Sequence, residues 1–68
     1  MDRYCVNKDA QTNGDHEVHK YSCQKLPSPS NRVDLGIFSN EYAALAAARR
    51  LYPSADGCWY CCPDINHS

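Results

Sequence analysis

Gly57-Cys58-Trp59-Tyr60-Cys61-Cys62-Pro63 is the stretch on which the reading of this chain turns. Two residues between Cys58 and Cys61 let both sulfurs point to one place, and Gly57 just before them supplies a tight backbone bend. This is the pattern of a two-thiolate metal knuckle. Its weight depends on two further matters: whether the chain needs a staple, and whether it offers a second pair of ligands.

The need follows from size. Sixty-eight residues make one small domain, 1–68, with no room for a second. Its large aliphatic residues are Val6, Val18, Leu26, Val33, Leu35, Ile37, Leu45, Leu51 and Ile65, joined by Phe38, Trp59, Met1 and the tyrosines. A chain near this length buries only about 60% of its unfolded surface, while ordering costs roughly 1.5 kcal/mol per residue, so the two nearly cancel. The thiols Cys5, Cys23, Cys58, Cys61 and Cys62 are odd in number, and the start Met1-Asp2-Arg3-Tyr4 lacks the apolar stretch of a signal peptide. Both features argue against a secreted disulfide scaffold and for metal ligation.

His19-x3-Cys23 is the second pair. With Cys58 and Cys61 it makes a Cys3His set, the donor composition of closed tetrahedral structural zinc, and soft thiolates favour zinc over calcium or magnesium. Blander readings stand beside this one: some thiols are small core side chains, or two of them pair in a disulfide. Cys62 offers a substitute for Cys61, and His67 one for His19. In a regular strand His16 faces away from His19, as a hairpin residue rather than a ligand, and Cys5 reads as packing.

Working outward, Arg3 to Asn7 alternates as a strand, with Tyr4 and Val6 on one face and Cys5 on the other. Asn13-Gly14-Asp15 marks a turn, and His16 to Tyr21 returns with Val18 toward the core and Glu17 and His19 opposite. Leu26 to Asn31, with two prolines, is a loop. Arg32 to Phe38 alternates again, with Val33, Leu35 and Ile37 on one face and Gly36 marking a bulge or close approach. Ser39 or Asn40 then caps a helix running to Tyr52, with Glu41 in its first turn, Arg49 and Arg50 in its last, and Pro53 to stop it. Its apolar stripe is Ala44, Leu45, Ala48, Leu51 and Tyr52. Pro53 to Gly57 reads as a turn, and no further element fits after Cys58. The expected fold is α+β: a small antiparallel three-stranded sheet, one helix in the C-terminal half, and the Cys-x2-Cys knuckle.

His19-x3-Cys23, Asn31-Arg32, the strand ending Phe38-Ser39-Asn40-Glu41, the alanine-rich helix and Cys58-x2-Cys61 together resemble the compact metal-binding domain of the bacterial Ada DNA-repair protein and its small stand-alone relatives. Asn13 to His19, Asn-Gly-Asp-His-Glu-Val-His, is similar to a stretch in small uncharacterised bacterial proteins. The resemblance spans roughly residues 16 to 62 and implies a bound zinc ion. In Ada the first pair is two cysteines, one of which accepts a methyl group from a DNA phosphotriester. His19 stands in that place here; an imidazole ligand is not a nucleophile, so the likeness extends to the metal site alone.

Seven Lys and Arg against eight Asp and Glu give a net charge of −1, without the positive field that supplies general nucleic-acid affinity. No run approaches the roughly 18 apolar residues of a membrane span. There is no Ser/His/Asp order, no phosphate-binding glycine loop and no HExxH, and Asp15-His16-Glu17 reads as a hydrated hairpin arm. No catalytic residue is assigned. The expectation is a non-enzymatic, cytoplasmic, monomeric zinc module that presents its hairpin and aromatic residues to a protein partner. Two alternatives remain. One is nucleic-acid binding through Lys20, Lys25, Arg32, Arg49 and Arg50 with Tyr21 stacking, which requires those groups to share a face. The other is redox or alkyl-acceptor chemistry at Cys58, Cys61 or Cys62, which requires an accessible low-pKa thiolate.

Overall fold

A computed structural model describes residues 1–66. His67, the alternative ligand, lies outside the described residues. The chain runs β1 (Asp2–Asn7), β2 (His16–Lys20), β3 (Arg32–Phe38), α1 (Glu41–Leu51) and β4 (Ala55–Gly57), with single 3₁₀ turns at Pro29–Asn31 and Pro63–Ile65. The expected first three strands and the helix stand where their patterns put them, but the single face that alternation gives Val33, Leu35 and Ile37 breaks at the bulge near Gly36: Ile37 is exposed and Phe38 packs against the core instead.

The expected sheet needs correction. It has four strands in the order β3-β1-β2-β4 and is mixed, because β4 runs parallel to β2. Residues 53–57 read as a turn since Pro53, Ser54 and Gly57 are turn formers, and a strand of three residues is too short to display a period of two. Burial settles its character: Ala55, Asp56 and Gly57 are all buried, and their small side chains let β4 seat between β2 and the chain after Cys62. The parallel connection is a crossover through β3 and α1, and such crossovers need the length those elements supply.

Pleating sorts the sheet's faces. Val6 pairs with Val18 in the antiparallel β1/β2 register, and Cys5 pairs with His19 one step on. The valines and Tyr4 join Ala44, Leu45 and Ala48 of α1 with Ala55, Cys62 and Ile65 in the core. Cys5 and His19 face the other way and are buried there.

Glycines fit two of the turns. Gly14 has φ +89° in the β1/β2 loop, and Gly36 has φ +99° where the β1/β3 register slips by a residue, the bulge expected there. Gly57 departs from expectation. It sits inside β4 without a positive φ, so it supplies no bend; what requires glycine is space, because a Cβ there would strike the Ile65 side chain and the Cys62 carbonyl oxygen.

Asn40 caps α1, its side chain accepting from the Ala43 N–H at 2.9 Å. The stripe is narrower than expected: Leu51 is 54% exposed. Tyr52 instead turns out of the helix and stacks on His16, ring centres 4.0 Å apart, while His16 Nδ1–H donates to the Asn7 carbonyl. His16 is thus a hairpin clamp and takes no place beside His19.

Candidate metal centre

Four donor atoms from two distant parts of the sequence converge at one end of the sheet. The ligand atoms of His19, Cys23, Cys58 and Cys61 all lie within 4.8 Å of one another. Parallel pairing is the reason. In the β2/β4 register Val18 stands beside Gly57, and the Cys58 N–H continues the ladder by donating to the Val18 carbonyl at 2.9 Å. One residue further along each strand come His19 and Cys58. Both strands leave the sheet at the same end, so the turns that follow deliver Cys23 and Cys61 to the same place.

The distances suit an ion of zinc's size. Thiolates about 2.3 Å from a zinc ion stand roughly 3.8 Å apart at tetrahedral corners. Cys23 Sγ is 4.0 Å from Cys58 Sγ, and Cys61 Sγ is 4.0 Å from His19 Nδ1. Three of the four residues are buried; Cys61 is partly exposed.

Backbone N–H groups point at the sulfurs. Lys20 donates to Cys61 Sγ at 3.4 Å and Lys25 to Cys23 Sγ at 3.3 Å, while Tyr60 and Cys61 donate to Cys58. Such donors stabilise thiolates, yet without a cation they are outweighed. Burial pushes the Cys58 thiol up to about 12 and raises Cys23; Cys61 is raised by its contact with Cys62 and then by burial. Burial and the Cys61–Cys62 contact thus favour the protonated thiols in the chain alone, and a divalent ion is the kind of charge that would convert them to ligands. Burial lowers the His19 pKa, which keeps the imidazole neutral as ligation requires.

His19 also has a partner that the sequence reading did not assign. Its Nε2 lies 3.4 Å from Glu17 Oε1, leaving Nδ1 toward the sulfurs. A carboxylate on the far nitrogen fixes the tautomer and orientation of a ligating histidine. The signal was the spacing itself, since Glu17 and His19 are two apart on one strand and share a face.

Cys5 and Cys62 are fully buried beside this group and are not among the four. Cys62 belongs to the core beneath α1 and also lies 3.7 Å from Cys61, sulfur to sulfur. Trp59 and Tyr60, between Cys58 and Cys61, are 64% and 46% exposed and meet edge to face at 5.7 Å. The Tyr60 hydroxyl donates to Gln24 Oε1 and so ties the two ligand-bearing turns together. No helix among the described residues is long and apolar enough to cross a membrane. No family model, curated protein or solved structure matches the chain.

Proposed function

We propose that the protein is a non-enzymatic zinc module in which His19, Cys23, Cys58 and Cys61 hold one structural ion and the surface around it engages a protein partner. The convergence of these four donor atoms within 4.8 Å carries the reading. A closed set of three sulfurs and one nitrogen matches structural rather than catalytic zinc, which keeps a position open for water or substrate. It requires reduced cysteines, which a reducing compartment such as the cytoplasm maintains, and this supports a cytoplasmic reading. The exposed Trp59 and Tyr60, held by Gln24 and by the ligands on either side, are the residues best placed to meet a partner, since aromatic side chains are enriched at interfaces.

The basic residues favour this reading over nucleic-acid binding. Lys20 reaches across to Glu41 on α1 at 3.8 Å, Arg49 donates to the Ala55 carbonyl at the helix end, and Arg3 is paired with Asp34 at 2.9 Å. Arg32 donates to the Pro27 carbonyl, with its guanidinium 5.8 Å from the Tyr21 ring centre. Lys20 and Arg3 are thus engaged by carboxylates, which leaves fewer cations to neutralise phosphates.

Native mass spectrometry of protein purified without chelator tests the metal reading, with one zinc per chain expected. Adding chelator should then abolish amide dispersion, because structural zinc contributes roughly 10–16 kcal/mol to folds of this kind. A spectrum that stays dispersed in excess chelator, with no disulfide present, overturns it. Sub-micromolar, saturable binding of labelled oligonucleotides at physiological salt would instead favour the nucleic-acid reading.

A further inference from the structure

Cys62 has no part in the four-donor group, yet its sulfur lies 3.7 Å from that of Cys61, nearer than the 4.0 Å between Cys23 and Cys58. The two neighbours differ in access: Cys61 is the most exposed of the four donors, whereas Cys62 is completely buried. An oxidant arriving from solvent therefore meets Cys61 first, and the nearest sulfur not engaged by the ion stands directly behind it. We propose that Cys61 and Cys62 form a hydroperoxide-responsive pair that opens the metal site. This inference rests on the zinc reading above.

The chemistry balances with the hydroperoxide as sole oxidant. A metal-held Cys61 is a thiolate, the nucleophilic form of the residue. Its sulfur attacks one peroxide oxygen, the O–O bond breaks, and the departing hydroxide (an alkoxide, if the peroxide is organic) takes up a proton, leaving a sulfenic acid on Cys61. The Cys62 sulfur then attacks the Cys61 sulfur; the S–O bond breaks and water leaves with the Cys62 proton. The product is a Cys61–Cys62 disulfide, two electrons having passed from the sulfurs to the peroxide. Cys23 and Cys58 remain engaged by the ion during these steps and so are poorer competitors. The ion is left with His19, Cys23 and Cys58, and a three-donor site holds it less well. Thiol reductants reverse the bond by exchange, restoring both cysteines.

The test uses the full chain loaded with zinc and confirmed as such by native mass spectrometry before hydrogen peroxide is added. The expected result is release of the zinc to a chromophoric chelator together with a mass lower by two hydrogens. After denaturation Cys5, Cys23 and Cys58 should take up an alkylating agent while Cys61 and Cys62 do not, and thiol reductant should restore both the mass and zinc binding. In Cys62→Ala the sulfenic acid has no partner, so oxidation should proceed to the sulfinic acid, which thiols do not reverse. A chain that carries no zinc before peroxide overturns the metal reading and this inference with it. A zinc-loaded chain whose disulfide joins Cys23 to Cys58, or that forms none, overturns this inference alone. Because Cys62 is a core residue, the alkylation map of the unsubstituted chain decides the matter if the variant does not fold.

Discussion

Glu17 Oε1 and His19 Nε2 lie 3.4 Å apart on the side of the imidazole away from Cys61, so that a carboxylate, an imidazole and a sulfur stand in sequence. Glu17 is only partly exposed, and its position orients the ring rather than completing the donor set. Glu17→Gln keeps the size and loses the charge. Metal affinity should fall about 10- to 100-fold, the usual effect of removing a partner behind a ligating histidine. Competition against a chelator of known affinity reads the change; an unaltered affinity would leave Glu17 as a surface group without a role at the site.

The helix contacts separate two leucines that look alike in sequence. Leu45 is buried at 6% exposure and Leu51 is 54% exposed. Leu45→Ala should destabilise the metal-loaded domain by about 2–5 kcal/mol. Leu51→Ala should change it by less than about 0.5 kcal/mol, as surface substitutions do. Urea unfolding of both variants with zinc bound checks the assignment, and equal losses would refute it.

Gly57 tests the seating of β4. An alanine there collides with the Ile65 side chain and comes within 2.7 Å of the Cys62 carbonyl oxygen. Gly57→Ala should cost roughly 1–3 kcal/mol, the usual range for overpacking. Adding Ile65→Val should recover little of the loss, because valine keeps a γ carbon where Ile65 Cγ1 stands and the Cys62 carbonyl oxygen cannot yield as a side chain does. Full recovery in the double variant would show that neither of these atoms is the obstruction.

Tyr4 gives the domain an alkaline limit. Burial raises its phenol from 10.0 to about 12, so the folded chain resists ionisation that the unfolded chain permits. The unfolded state therefore releases the proton first. Tyr4's contribution is fully present below pH 10 and is lost as pH rises through about 12. A shift of that size corresponds to about 3 kcal/mol at most. Tyr4→Phe should flatten the decline in unfolding midpoint across this window, and an identical slope in both proteins would remove Tyr4 as its cause.

The elements that could be read from sequence are those with a long period or a capping signal. Seven residues from Arg32 to Phe38 and eleven from Glu41 to Leu51 show theirs plainly, and Asn40 caps where its amide can reach Ala43. Four candidate ligands were legible because thiol and imidazole spacing is itself chemical information. What escaped was β4, since Ala55-Asp56-Gly57 carries turn residues whose smallness serves close packing rather than a turn. With β4 went the parallel pairing that explains why distant ligands meet. Leu51 was misplaced by extending the stripe to the last helical turn, where the chain is already leaving the sheet and Tyr52 swings toward His16.

The parallel alignment of β2 and β4 also sets an order of events in time. Hairpin β1/β2 is a local pairing that carries His19, whereas β4 reaches β2 only across the length of β3 and α1. Contacts of such sequence separation are entropically late. On a ribosome, too, Cys58 and Cys61 emerge after every strand and the helix have been made. Half a site holds an ion poorly, so on the zinc reading proposed above metal capture would be the latch closed last, one that discriminates a finished domain from a nascent one.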